Sequence, residues 1–291
     1  MGLRLKFNLV MLLVTLIGMG VIGYIANLVL QRNAREEILH TAGLMMESAL
    51  AVRTYTVNEI RPLLAVQMTR EFLPQTVPAY AATHDIKGMR KRYPQYSYKE
   101  ATLNPTNPAS RATDWESGIV EYFRDHTSAK QLVGEHNTPT GRSLYLARPI
   151  AVKSESCLSC HGDVGDAPPT MLAKYGKANG FGWKMNEIVG SQIVNVPMTV
   201  PLQRARQTLT TFLIALGAAF ATIMLILNLL LHRIVIHPVK RMASLAHDVS
   251  MGKLDVEEFN PGGKDEISVL AESFNRMRRS IVNAMEMLNT R

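Results

Sequence analysis

Residues 7–30 read FNLVMLLVTLIGMGVIGYIANLVL and residues 207–231 read QTLTTFLIALGAAFATIMLILNLLL; neither stretch holds a charged residue. Each exceeds the roughly 20 apolar residues that a helix needs to cross about 30 Å of hydrocarbon. The first run could instead be a cleaved signal peptide. Its apolar core is longer than the usual roughly 7–15 residues, and no A-x-A-like site follows, so a retained span is expected. The second run lies between Arg206 and Arg233 and contains no proline. The 291 residues therefore divide into a cytoplasmic stub at 1–6, transmembrane helix 1 at 7–30, a domain at 31–206, transmembrane helix 2 at 207–231 and a tail at 232–291.

The formal net charge of +8 is mild and spread along the chain. No nucleic-acid footprint is seen, and no nucleic-acid partner is expected. The positive-inside rule places stub and tail in the cytoplasm. Its signal is weak here, because Arg32, Arg35, Arg204 and Arg206 flank the spans on the other side.

The only two cysteines lie in Cys157-Leu158-Ser159-Cys160-His161. C-x-x-C-H is the attachment signature of a c-type haem. Two thiols three positions apart can reach both vinyl groups on one porphyrin edge, and the tether brings His161 under the iron as proximal ligand. Chance would give this pattern on the order of 2 times in 10,000. A thioredoxin-type C-x-x-C would want a helix N-terminus in a βαβ unit, and the flanking Gly162, Gly165, Pro168 and Pro169 do not look like that. A zinc site needs four ligands, and there is no second cysteine pair. One covalent haem c per chain is expected. Because c-type haems are attached outside the cytoplasm, residues 31–206 are expected in the periplasm. Both termini then lie in the cytoplasm of a bacterial inner membrane, with two spans in the bilayer.

For the sixth iron position His84 is the first candidate and His126 the alternative. His136, His40, Met68, Met89, Met171, Met185 and Met198 are further possibilities, as is an open or water-bound site. A histidine in a polar loop is usually solvated, and a methionine usually fills a core.

Gln31 to about Gln67 reads as one long helix, with Ile38, Met45, Ala49 and Val52 near helical spacing. From Pro74 to Pro108 five prolines mark a loop-rich stretch. Ala112 to Phe123 reads as a short helix, and Leu144–Val152 and Ile188–Val196 as strands. The expected fold is α+β, a small sensor domain entered by a long helix from the membrane.

In the tail a helix begins at Ile236-His237-Pro238, with apolar residues at Val239, Met242, Ala246 and Val249. Gly252 stops it, and Pro261-Gly262-Gly263 closes the linker. A second helix starts at Asp265-Glu266 and carries Ile267, Leu270, Phe274, Met277, Ile281, Ala284 and Leu288 at an a/d spacing. Two such helices cannot bury their seams alone. A parallel homodimer forming a four-helix bundle is expected, against the alternative of a lone hairpin on the membrane surface.

The tail resembles a HAMP signal-relay domain, through Pro238 and the D-E-I-x-x-L-A-x-x-F-N-x-M run from Asp265 to Met277. Ser268 stands where that family usually has glycine, a departure expected to change the start of the second helix little. Residues 31–206 resemble the single-haem c-type sensor domains with a PAS-like fold, long described as a domain of unknown function. The matching motifs are Asn104 to Pro108, Asp114-Trp115-Glu116, Cys157 to Gly162, Asn179 to Trp183, and Val196-Pro197-Met198. This resemblance covers roughly residues 45–200. It implies a PAS-like sheet with haem at its edge, and redox or ligand sensing. Some members place a cysteine thiolate opposite the histidine; with no third cysteine, that ligand does not carry over.

The expected function is a haem-based sensor of redox state or a diatomic gas, relaying through HAMP. The chain stops about a dozen residues after the HAMP signature, so the output is expected to come from a separate cytoplasmic signalling protein. The alternative is a membrane-tethered periplasmic electron carrier with a redox partner. No acid/base cluster around the haem can be read, so enzyme activity is not expected.

Overall fold

Ile188–Pro197 is buried at all ten positions. Such a run needs cover on both faces and a neighbour on each side, and the sheet supplies both. The computed structural model describes residues 2–139, 141–253, 255–260 and 262–289, without the side chains of Leu3, Leu288 and Asn289. Its strands are β1 (Ser97–Thr102), β2 (Leu132–Thr138), β3 (Gly141–Ala151) and β4 (Ile188–Pro197). They form one antiparallel sheet in the order β1-β4-β3-β2. The chain splits into two compact units. One is Ala26–Leu209, which holds the sheet; the other joins the N-terminal segment through Ile25 to the chain from Thr210 onward.

Strand side chains alternate between faces, and the register sorts them into rows. Tyr98, Val194, Leu146 and Val133 face one way; Lys99, Ile193, Ala147 and Leu132 face the other. The first face packs on α1 (Leu3–Tyr55) and α4 (Pro78–Met89) through Ile38, Ala42, Met46, Ala49, Ala82 and Ile86. The second packs on α5 (Asp114–Asp125) through Ile119, Val120 and Phe123. Phe123 is fully buried, and a side chain of that size stabilises by about 1.5–3 kcal/mol. At the start of α5 Thr113 and Glu116 form a capping box, of a kind worth about 1 kcal/mol.

The long helix after the first apolar run is α1, followed by a π-helical turn at Thr56–Ile60 and two short pieces, α2 (Arg61–Leu63) and α3 (Ala65–Met68). The stretch read as loop holds a 12-residue helix and a strand. Pro78 starts α4, where the missing N–H costs nothing. The strand β1, SYKEAT, carries no apolar alternation because Glu100 is buried by a partner distant in sequence. Arg53 of α1 meets its carboxylate at 2.5 Å, the Tyr98 hydroxyl donates to it at 2.8 Å, and Gln192 Nε2 donates to the Tyr98 oxygen at 3.1 Å. Burial works against the Arg53 charge, and Glu100 outweighs it, holding the guanidinium pKa above its usual value. Burial, then Glu100, pushes the Tyr98 hydroxyl well up. β2, LVGEHNT, was unread for the same reason: it is a polar strand.

The helices α1 and α8 (Thr199–Leu231), which each run through both units, are long and apolar enough to cross a membrane. A Cβ on Gly23 would meet Leu213 at 3.2 Å, and small residues let such helices approach. A π-helical turn at His232–Ile236 leads into α9 (His237–Ser250), and α10 is Glu266–Asn289. Between them Phe259 packs with Met242 and Ala271. Asn275 fixes the connector by bonding both the N–H (3.2 Å) and the carbonyl (2.9 Å) of Phe259. The stripe read from sequence divides. Ile267 and Phe274 turn inward with Ala271, while Leu270, Met277 and Ile281 are exposed. Pro261 and the Leu288 side chain lie outside the described residues.

Candidate functional site

The C-x-x-C-H run forms α6 (Glu155–His161), with Ser154 capping its start. Gly162 ends this seven-residue helix. It follows β3, and the next strand, β4, pairs antiparallel with β3, so this is not the βαβ unit of a thioredoxin-type site. Cys157 and Cys160 are free and half-buried. Three positions apart on a helix, they share one side of it.

Three segments distant in sequence meet at His161. Its Nδ1 lies 2.7 Å from the Gly180 carbonyl oxygen and 3.4 Å from Thr106 Oγ1. Its ring stacks on Trp183 at 4.1 Å, with an interplanar angle of 16°. Backbone bonds seal the pair: Gly182 N–H to the Gly162 carbonyl at 2.8 Å and Trp183 N–H to the His161 carbonyl at 3.0 Å. Asn104 accepts from Gly180 N–H at 3.3 Å. Gly180 has φ +85°, and a Cβ there would come within 2.7 Å of the Thr106 nitrogen and 2.9 Å of its Cα. Only glycine fits.

A carbonyl can only accept, so Nδ1 carries the proton and Nε2 keeps its lone pair. Burial lowers the His161 pKa, partly opposed by the Gly180 bond. The imidazole is thus neutral, fixed in tautomer and orientation, with Nε2 the free donor atom. That is the state in which histidine binds a metal. No group of three or more His, Cys, Asp or Glu suited to a metal ion occurs among the described residues. A single oriented histidine needs a ligand that brings its own coordination sphere.

None of the sequence-read sixth-position histidines touches His161. His84 is exposed on α4, stacked on Tyr80. His126 is exposed at the end of α5, stacked on Tyr122 with Nδ1 2.9 Å from the Tyr122 carbonyl. His136 is stacked on Trp115 at 4.1 Å, with Nε2 3.0 Å from Asn195 Oδ1. Met68 sulfur accepts from Leu73 N–H and Thr76. Met171 and Met198 are buried in the domain, and His40 is exposed.

Residues 31–197 match the family model described as Tll0287-like: Tll0287. The chain belongs to the Tll0287-like family. Residues 230–283 match the HAMP domain, so a Tll0287-like domain is followed by HAMP. Among solved structures the chain is similar to the "Crystal structure of the cyanobacterial heme-protein Tll0287". The two share 16% identity, the match covers 55% of this chain and 95% of that one, and the TM-score is 0.43. No curated protein matches. The Tll0287-like domain runs from α1 to the end of β4, and so contains every segment that builds the His161 site.

Sequence reading reached Asn104–Pro108 and Asn179–Trp183 as motifs but gave them no task; both hold His161. It missed Arg53, which pairs with Glu100, because that pairing exists only after α1 packs on the sheet. Ser268 also does more than expected. It is buried, and its N–H and Oγ both donate to Asp265 Oδ1, at 2.9 and 2.8 Å. These bonds hold the Asp265 carboxyl below the usual range and tighten the cap of α10.

Proposed function

We propose that this Tll0287-like protein is a membrane-anchored c-type cytochrome whose domain at 31–206 senses redox state or a diatomic ligand and relays the change through HAMP. The observation that carries this reading is the held His161 ring, with Nδ1–H on Gly180 and Nε2 without a partner among the described residues, directly after a half-buried pair of thiols on one helical turn. These residues fit a covalently attached haem: Cys157 and Cys160 as thioether donors, His161 as axial ligand. Bound there, haem would supply a one-electron iron centre. Trp183 and Gly180 orient the ligand, and Thr106 sits beside its Nδ1. The likeness to a structure described as a heme-protein points the same way.

For the sixth position we propose His84, which has no hydrogen-bond partner among the described residues. His126 is the alternative, with only Nδ1 engaged. The antiparallel sheet covered by helices on both faces supports a PAS-like reading. The two apolar helices support a bilayer anchor. Because c-type haem is attached outside the cytoplasm, covalent attachment would also locate residues 31–206 in the periplasm and the HAMP segment in the cytoplasm.

The test is haem retention after acid–acetone extraction of the membrane-expressed protein. Wild type should keep one haem per chain by intact mass, and Cys157→Ser or Cys160→Ser should lose most of it. A wild-type chain of unmodified mass would refute both the attachment and the location that rests on it.

A further inference from the structure

α1 leaves the first apolar run at Leu30, and Arg35 follows five residues later, about 7.5 Å along the helix. Arg35 reaches Glu135 of β2 at 3.2 Å. Glu135 pairs with Leu144, and Leu144 with Val196, three residues before α8 begins at Thr199. The edge of the sheet where β4 ends therefore stands at the level of Arg35. Headgroups extend roughly 5–7 Å beyond the hydrocarbon on each side, so this edge borders the headgroup layer.

β1 begins at that same edge, since Ser97 pairs with Asn195. The last residues of α4 and the turn after it deliver the chain there, Lys87-Gly88-Met89-Arg90-Lys91-Arg92-Tyr93, exposed throughout. None of its four cations has a carboxylate partner among the described residues. Asp85, one turn back on α4, is the nearest acid in sequence. Tyr93 is 53% exposed and meets Tyr96 edge-on at 6.2 Å. Arg142 on the β2–β3 hairpin and Arg204 on α8 carry further positive charge at this edge, with Glu135 taking up part of it by pairing with Arg142 and Arg35. Unpaired cations beside tyrosines are the composition of a surface that rests on phospholipid.

We propose that the Lys87–Tyr93 turn docks on anionic phospholipid headgroups, so that the Tll0287-like domain rests on the bilayer by its lower edge. This rests on the membrane-anchored reading. It adds a contact that fixes the domain against the surface from which α1 and α8 emerge.

The experiment is hydrogen exchange, read by mass spectrometry, on the full chain reconstituted into vesicles of phosphatidylcholine alone or with added phosphatidylglycerol. Peptides covering 87–98 should exchange at least about fivefold more slowly in the anionic vesicles, given the attraction per cation near such a surface. The difference should vanish in high salt, which screens it. K87Q/R90Q/K91Q/R92Q should abolish it, while Lys130→Gln should not. Peptides within 9–28 and 212–230 report separately on the spans. If those are protected and 87–98 exchanges alike in both vesicles, the docking proposal fails while the anchor stands. If the spans exchange freely, the anchor fails. Protection of 87–98 that appears only on adding an acidic soluble protein would assign the turn to a protein partner and overturn the lipid proposal.

Discussion

At Gly180 a backbone position decides whether His161 can be held. Its carbonyl takes the His161 proton while its left-handed φ brings the chain against Thr106. Gly180→Ala must push that segment away, releasing both the hydrogen bond and the stack on Trp183. We expect it to leave the protein folded and the thioethers formed, with weakened axial ligation. The check is the position and intensity of the Soret and charge-transfer bands; spectra identical to wild type would show that Gly180 does not orient the ring. His84 is tested separately. His84→Ala should shift the Soret band and open the iron to CO, with no effect from His136→Ala, whose ring is already committed to Asn195 and Trp115. An unmoved band in His84→Ala that moves in His126→Ala would transfer the assignment to His126.

The tail helices show why an apolar stripe does not identify its own partner. Within one chain Ile267 and Ala271 close on Phe259 and Met242, and Phe274 is buried. Leu270 and Met277 are each 51% exposed and Ile281 is 38% exposed on the outside of α10. Three apolar side chains in a row on a helix require cover, and a second copy laid parallel would give it. Cysteines at Leu270 or Met277 should therefore crosslink between chains in membranes, whereas Arg276 and Ser280 should do so poorly. Phe274 should crosslink less than Leu270, since its ring is already spent inside the hairpin. Equal yields at all positions would argue against the seam.

Across the whole molecule the sheet links the haem motif to the helices. β4 begins beside the residues leading to α6 and ends at Pro197, with only Met198, buried in the core, between it and α8. With haem bound as proposed, a change in iron charge or ligation would alter contacts near His161. It can bias the tail only if the two tail states favour different haem forms, and a coupling of about 1–3 kcal/mol is enough for a useful response. We expect crosslinking at Met277 to differ between membranes poised oxidised, reduced and CO-bound, and to become insensitive in Cys157→Ser. A yield unchanged across all four would favour a tethered electron carrier over a sensor.

The sequence alone determined the features that depend on local composition. Two charge-free runs marked the long apolar helices, Cys157 to His161 marked the candidate site, and Ile188–Val196 announced a strand. The spacing around Phe274 announced α10. Each is written in neighbouring residues, because hydrophobicity, periodicity and a covalent motif act over a few positions. What only the tertiary structure decided are the pairings between residues far apart in sequence. Arg53 buries Glu100, and so makes a strand of a polar hexapeptide. Gly180, Trp183 and Thr106 converge on His161 from both sides of it. Leu270 is left outside while its neighbour Ala271 goes in. Burial of a charge, choice of tautomer and choice of helix face are all set by the partner that arrives, and no window of sequence contains that partner.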